Sequence, residues 1–581
     1  MPEALATTPD GVLLVLAVMV PFAGLLVAFA FGGRNAQRIA LLTILATAGV
    51  AAAITAVALR GDTTLVYLLG GWAPPLGIAL RADPLALVMI PAIALVIVGI
   101  ALYACADFGT PAGLRESRAP LVFWVLLLAI WGALNLVFLS GDLFTLYVAL
   151  ELLTFGAVPF VALDGKPETL RAALRYALYA LLGSVFYLLG TVLLYGAYGT
   201  LDIALLRELV RPEPVVLVAA ALMTVGLLAK TALFPLHLWL PPAHGGAPPA
   251  ASAVLSGLVI KGSWFLVVRL WFDVLPGVVT WSSAQLLAAF GAAAILVGNV
   301  VALRQERLKL LVAYSTVAQI GYLFLMFPLA FDATAGALAP GAAQAGGMLQ
   351  AISHALAKAA MFMAAGLVYK ALSHDRIGEM AGIGRALPLT VLTFALAGLA
   401  LMGLPPSGAF AAKKLLLDAA ADSGQWWWGA VLDVGGLLTA SYVVLVLSHA
   451  LAPTATPIAL RAPVSRLGEL SALALAVCSL ALGLAALGPA PFDALPDPLV
   501  AKEFGAALVT LLGGAVLALA LGLRLPPVRG GGALGAGLRR ATVAVGAGFV
   551  RADGVLRQWP VATLALILAA LAFGVAFAPR S

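Results

Sequence analysis

Five lysines stand where an apolar chain would not be expected to carry charge. The 581-residue sequence contains nine lysines, and Lys230, Lys261, Lys358, Lys413 and Lys414 fall inside long hydrophobic runs. A charged side chain at mid-membrane costs at least ~2.5–3.5 kcal/mol on insertion scales, so such groups face a partner or a water-filled cavity and commonly mark a pathway. Lysine titrates near pH 10.4 in water, but desolvation lowers that value and lets the amine exchange a proton near neutrality, which arginine cannot do. The 24 arginines lie almost wholly between the apolar runs. A permanent cation and a titratable one are thus sorted to different places.

Glu151 lies within Leu146-Tyr147-Val148-Ala149-Leu150-Glu151-Leu152-Leu153, with no other charge between Asp142 and Asp164. A carboxylate there needs a cation or must stay protonated. A structural ion pair between two helices is the plain alternative; an isolated carboxylate among several isolated lysines points instead to a proton relay. His354 and Lys358 are four residues apart, so on a helix they share a face, and the spacing predicts proton transfer between them directly or through one water. The alternative is that one bonds a carbonyl while the other snorkels to the interface. His237 and His244 flank two prolines at a seven-residue separation that fits no zinc motif, and a polar hinge beside the pathway is expected of them.

Two helix breaks accompany these charges. Lys230 is followed within five residues by Pro235, and Lys413 is preceded by Gly403-Leu404-Pro405-Pro406-Ser407-Gly408. Proline removes a backbone donor and leaves carbonyls that need water, side chains or ions. A simple structural kink is the alternative. Paired interrupted segments in corresponding positions of two halves are a transporter signature, and the lysine precedes one break but follows the other, as an inverted repeat would arrange it.

The elements that must position these groups are membrane helices. The chain is 63% hydrophobic and 10% charged, with a mean hydropathy of +1.08, where soluble domains are roughly 45–50% apolar and about 25% charged. Disorder and collagen are excluded by the long apolar blocks and the lack of a Gly-X-Y period. Runs near the ~20 residues needed to cross a bilayer recur from about 11–31 to 558–578, giving an all-α polytopic membrane protein of fourteen to sixteen spans, with no room for a soluble domain. Strands of a membrane barrel would be shorter and would alternate in polarity. The first run lacks a basic leader region and reads as a retained span. Lys and Arg number 21 in the odd loops, Lys309 among them, against six in the even loops. The positive-inside rule then places the amino terminus outside and the odd loops in the cytoplasm. That bias accounts for the net charge of +7, so no nucleic-acid partner is implied. Cys105 and Cys478 make neither a disulfide framework nor a metal spacing. Residues 525–557 read as a basic, partly amphipathic cytoplasmic segment tied down by a last span. Their Gly530-Gly531-Gly532-Ala533-Leu534-Gly535 matches G-x-G-x-x-G only formally, since no strand or βαβ unit surrounds it.

The segment from Lys230 through Pro235-Leu236-His237-Leu238-Trp239-Leu240-Pro241-Pro242-Ala243-His244 to Ser252-Ala253-Val254-Leu255-Ser256-Gly257-Leu258-Val259-Ile260-Lys261 resembles the antiporter-like proton-translocating subunits of complex I, membrane-bound hydrogenases and Mrp-type sodium/proton antiporters. Leu308-Lys309-Leu310-Leu311-Val312-Ala313-Tyr314-Ser315, Gln319-Ile320-Gly321-Tyr322, His354-Ala355-Leu356-Ala357-Lys358-Ala359 and Gly403-Leu404-Pro405-Pro406 follow in the family's order, and the likeness covers roughly 80 to 450. It implies amino-terminal helices over 1–119, two inverted five-helix repeats over 120–271 and 283–450 with the seventh and twelfth helices broken, further helices over 451–524, and a basic segment with a last span over 525–581. By position it implies a relay of Glu151, Lys230, Lys261, His354, Lys358 and Lys413, with His237, His244, Pro235, Pro405 and Pro406 at the hinges. Lys414 follows immediately, and the alignment register assigns the twelfth-helix role to Lys413. The implied mechanism is electrostatic: if Glu151 turns away from Lys230, the lysine's pKa falls and its proton passes to Lys261.

The resemblance leaves the host complex open. A lysine at the twelfth helix and a long basic carboxy-terminal segment favour the D-type subunit of a multisubunit cation/proton antiporter in a bacterial inner membrane. The alternative is a proton-pumping subunit of an NADH:quinone oxidoreductase or a hydrogenase complex. A non-transporting scaffold or an inorganic-carbon uptake subunit is an alternative of another class, though a pure scaffold has no need of so many buried charges. Two cysteines fall short of the roughly four ligands an iron–sulfur cluster takes, so no cofactor or metal is expected, and redox chemistry would belong to partner chains. The expected partners are other membrane subunits, lipid, and protons with sodium.

Overall fold

The computed structural model describes residues 6–61, 64–111, 113–454, 458–485, 496, 500–520 and 533–578. Long apolar runs become helices because a backbone in hydrocarbon must satisfy every N–H and C=O within its own segment. In chain order the principal helices are α1 (Val12–Phe31), α2 (Gly33–Ala58), α3 (Pro84–Ala104), α4 (Arg118–Leu139), α5 (Leu143–Val161), α6 (Pro167–Tyr198) and α7 (Pro214–Thr231). A short α8 (Leu240–Gly246) leads to α9 (Pro249–Val274), then α10 (Trp281–Leu303), α11 (Leu308–Tyr322), α12 (Ala342–Leu372), α13 (Pro388–Leu401) and α14 (Gly408–Asp422). The last five are α15 (Trp426–Ala450), α16 (Arg466–Leu484), α17 (Ala501–Ala520), α18 (Ala533–Leu556) and α19 (Trp559–Phe577). An antiparallel hairpin, β1 (Leu65–Leu68) with β2 (Ala79–Ala82), pairs Leu65 with Ala82 and links α2 to α3.

Among the described residues, 15 helices are long and apolar enough to cross a bilayer. The apolar run at 389–415 is not one of them, because it is split into α13 and α14; with it the number of crossings agrees with the sixteen runs in the sequence. Gly530, Gly531 and Gly532 of the glycine motif lie outside the described residues.

Both breaks have local causes. α7 stops at Thr231 because Ala232 turns left-handed (φ 59°) and Pro235 follows, a conformation that costs a non-glycine residue roughly 1–2 kcal/mol. α13 ends just before Gly403, also left-handed (φ 70°), and Pro405 and Pro406 carry the chain through a turn that the Ser407 N–H closes on the Leu404 carbonyl at 3.0 Å, after which Ser407 accepts the Phe410 N–H at 3.1 Å and caps α14. Serine at that position satisfies one of the orphan donors of a new helix.

α9 and α12 are enclosed on all sides by other helices, whereas α1 and α17 leave most of their surface exposed. Lys261, His354 and Lys358 sit on the two enclosed helices. Lys309, expected in a cytoplasmic loop, is instead buried at the start of α11, where its ammonium bonds the Ala247 carbonyl at 2.5 Å beyond α8. An unsatisfied carbonyl after a seven-residue helix pulled inward a lysine whose loop position alone said nothing of this.

α6 and α7 approach closely through Gly183 and Gly226. A Cβ on Gly183 would stand 2.7 Å from the Gly226 carbonyl oxygen and 3.2 Å from Cγ of Lys230, and small residues permit such backbone contact between membrane helices. Gly183→Val is therefore expected to cost about 1–3 kcal/mol through overpacking and to lower the melting temperature in detergent, followed by loss of the monodisperse peak on size-exclusion chromatography.

Candidate functional site

The first charged centre forms where α5, α6 and α7 meet. The Lys230 ammonium donates to Glu151 Oε1 at 2.9 Å, to Thr154 Oγ1 at 2.9 Å and to Ser184 Oγ at 2.5 Å. The Ser184 hydroxyl also donates to Glu151. A hydrogen bond to a charged group contributes about 1.5–3 kcal/mol, so these acceptors together offset the insertion cost of the lysine. Glu151 keeps 12% of its side chain exposed, against 5% for Lys230. Only the carboxylate has an open side on which to turn.

Lys261 lies on α9 just after a π-helical stretch, Leu255–Val259, a distortion that frequently marks functional sites. Its ammonium reaches the Ser256 carbonyl at 2.8 Å and His354 Nδ1 of α12 at 2.5 Å. Lys358, one turn further along α12, bonds the Val312 carbonyl at 3.2 Å and the Ser315 hydroxyl of α11. The direct His354 to Lys358 exchange that the four-residue spacing suggested is therefore not the contact formed. His354 turns to α9 and Lys358 to α11, because each finds its nearest partner on a different neighbour.

Hydroxyl pairs fill the intervals. Thr231 donates to Ser263 at 2.9 Å, joining the turn beside Lys230 to α9. Ser256 and Thr316 pair at 3.0 Å, joining α9 to the turn of α11 that holds Lys358. Beyond Lys358, Gln350 donates to Gln319 at 3.1 Å, and a small cavity of about 20 Å³ lies between Gln350, Tyr322 and Lys413. That is room for one water, and the buried Tyr322 hydroxyl lining it has no hydrogen-bond partner among the described residues.

Lys413 belongs to α14, directly after the second break, and its ammonium pairs with Asp433 of α15 at 2.8 Å. Lys414 faces Glu503 of α17 at 3.4 Å and Asp418 at 3.7 Å. Pro405 lines the cavity beside Lys413 and Lys414; Pro406 follows it in the break, as Pro235 follows Ala232 in the first.

The two hinge histidines part company. His237 Nε2 meets Asp553 Oδ1 at 2.7 Å, both side chains 1% exposed. His244 is buried and stacked on Phe362 with ring centroids 4.7 Å apart, and neither ring nitrogen has a partner among the described residues. Asp553 draws His237 toward α18, while His244 lies against α12.

Three participants were not singled out in the sequence. Ser184 carried no signal. Asp433 did: it is the sole Asp, Glu, Lys or Arg between Asp422 and Arg461, and the insertion cost that exposed the lysines applies equally to it. Asp553 was hidden in a segment read as solvated surface. Its carboxylate accepts from Tyr314 at 2.7 Å and Arg557 at 2.8 Å as well as facing His237, and α19 beyond it packs on α7 and α10. Burial alone would raise the Asp553 pKa, but the His237 contact, Arg557 and Tyr314 outweigh it and hold the carboxyl below its usual value.

A polytopic helical membrane protein with a lysine beside each of two helix breaks defines the class. The transmembrane family model described as NADH:quinone oxidoreductase/Mrp antiporter matches residues 140–439, and the chain belongs to that family. It is 36% identical over 417 residues to NADH-quinone oxidoreductase subunit N of Desulforudis audaxviator, covering 71% of this chain and 79% of that one. It is 30% identical over 380 residues to the D-type subunit of the Na(+)/H(+) antiporter of Alkalihalophilus pseudofirmus, covering 64% and 73%. A chain of the Mrp complex from a Dietzia species shares the fold, with a TM-score of 0.73 at 24% identity over 88% of this chain and all of that one. A chain of an archaeal respiratory complex, the membrane-bound sulfane sulfur reductase, superposes with a TM-score of 0.72 at 25% identity, covering 88% of this chain and 99% of that one. This is an integral, multi-pass, antiporter-like subunit of the kind found in Mrp, complex I and related respiratory assemblies.

Removing one partner of a buried ion pair leaves an uncompensated charge and costs about 3–5 kcal/mol. Asp553→Ala is accordingly expected to lower the detergent melting temperature far more than Asp418→Ala, whose exposed pair contributes little. Because the carboxyl value is depressed, the Asp553 contribution should be complete at neutral pH and vanish as pH falls through that depressed value; melting measured from pH 7 down to pH 3 checks the sign.

Proposed function

We propose that this chain translocates protons along the axis Glu151, Lys230, Lys261, His354, Lys358 and Lys413. The observation that carries the reading is a succession of buried lysines on neighbouring helices, joined by hydroxyl pairs and provided at Lys230 with a single, partly open carboxylate. Protonated Lys230 beside ionised Glu151 is neutral as a pair. Rotation of Glu151 toward its open side removes that stabilisation and releases a proton by way of Thr231 and Ser263 toward Lys261 and His354. Lys358 and Ser315 pass it on, and water beside Gln350 and Tyr322 carries it to Lys413. His237 and His244 act as hinge groups at the first break, and Pro235, Pro405 and Pro406 keep both breaks open. The two halves, 120–271 and 283–450, are proposed to be inverted repeats that present their broken helices to the same axis.

The host is proposed to be a multisubunit Mrp-type cation/proton antiporter of a bacterial plasma membrane, with the amino terminus outside and other membrane subunits as neighbours. The lysine on the twelfth crossing and the carboxy-terminal segment favour it. The 36% identity to a subunit N favours a second reading, the corresponding subunit of a quinone-reducing complex. Purification of the intact assembly and identification of its other chains separates the two.

In membrane vesicles bearing the whole assembly, Lys230→Ala and Glu151→Ala are each expected to reduce proton flux by about 100-fold or more, the scale of a lost proton-transfer group, with normal amounts of inserted protein. Flux equal to wild type in both variants, read by a pH-sensitive dye, would sink the relay.

A further inference from the structure

Lys413 is the wall between two spaces. On one side lies the cavity of about 20 Å³ shared with Tyr322 and Gln350. On the other lies a larger one, about 130 Å³, lined by Gly403, Pro405, Lys414, Asp433, Glu503 and Thr510. The larger space is where α14, α15 and α17 diverge. Asp433 is the eighth residue of α15, about 10 Å along the helix from its first residue, and 62% of its side chain is exposed. Trp426, Trp427 and Trp428 begin that helix, as interfacial aromatics do. Glu503 is the third residue of α17 and is 14% exposed. The cavity therefore runs from Lys413 toward the starts of α15 and α17, with a carboxylate at each stage.

We propose that this cavity is the outlet of the pathway, and that Asp433 and Glu503 are its proton-carrying groups. The proposal rests on the relay reading and on the orientation proposed from the loop charges, which puts the starts of α15 and α17 at the outer face. In the step itself an N–H bond of the Lys413 ammonium breaks and an O–H bond forms on Asp433. The ion pair becomes a neutral amine and a neutral acid, so the pair as a whole stays neutral while the proton advances from Lys413 to Asp433. Asp433 then yields its proton to cavity water, and Lys413 takes the next one from the inner cavity. Lys414, held by Glu503 and Asp418, supplies a positive charge that favours the ionised form of the neighbouring carboxylates and so favours release. The first half of the axis thus begins at a lysine paired with a carboxylate, and the second ends at one. Lys261 and Lys358 between them have neutral partners only, among the described residues.

The test uses vesicles bearing the whole assembly. Asp433→Asn should lower proton flux on the order of 100-fold, Glu503→Gln should lower it in the same direction, and Asp433→Glu should recover most of the wild-type rate. With Cys105 and Cys478 replaced by alanine, Asp433→Cys should react with a membrane-impermeant thiol reagent in right-side-out vesicles and resist it in inverted ones. Wild-type flux in both Asp433→Asn and Glu503→Gln, alongside an inactive Lys230→Ala, overturns the outlet and leaves the relay standing. Labelling of Asp433→Cys from the cytoplasmic side alone also overturns it. Flux that survives Lys230→Ala as well removes the relay and the outlet together. Should Asp433→Asn fail to accumulate, Glu503→Gln and the cysteine labelling decide.

Discussion

The ammonium of Lys230 has to be solvated inside hydrocarbon, and the surrounding architecture follows from how that is done. Lipid offers neither water nor counter-ions, so two neighbouring helices, α5 and α6, supply a carboxylate and two hydroxyls within 2.9 Å. The close passage of α6 over α7 at Gly183 and Gly226 brings Ser184 into reach, and the break at Ala232 ends α7 one residue after the Lys230–Thr231 pair. The same demand recurs at each buried cation. Lys261 uses a carbonyl and a histidine, Lys358 a carbonyl and a hydroxyl, and Lys413 an aspartate.

These solutions differ in what a proton can do next. A lysine held by a carbonyl keeps one proton bound to a group that cannot take it. A lysine facing histidine, serine or water has an acceptor. Lys261 and Lys358 each have one partner of each kind, whereas Lys230 and Lys413 are held by a carboxylate. The enclosure of α9 and α12 acts in the same direction: Lys261, His354 and Lys358 are buried, so the groups that solvate them come from neighbouring helices.

The carboxy-terminal helices are part of the site's framework. Asp553 joins α18 to the loop after the first break, and α19 packs on both α7 and α10, with the carbonyl of Ala576 bonded to Thr280 at 2.5 Å. Glu151, Lys230, Lys261, His354 and Lys358 were legible in the sequence because each is a costly group in an apolar run. Asp433 was equally legible, since the same cost falls on an anion as on a cation. Asp553 was not, because an acidic residue among nearby arginines looks like any other solvated charge until a histidine 316 positions away closes on it.

The sequence by itself determined where the chain crosses the membrane, which crossings are broken and which charges the membrane must accommodate. Hydropathy, proline and insertion cost act residue by residue, and all three are written in local order. Only the tertiary structure decided the partners: His354 with Lys261 rather than with Lys358, Lys309 with a carbonyl beyond α8, and Lys413 with an aspartate on the next helix. Hydrogen bonds form over about 3 Å, and which side chains come that close depends on how helices far apart in the chain pack against one another.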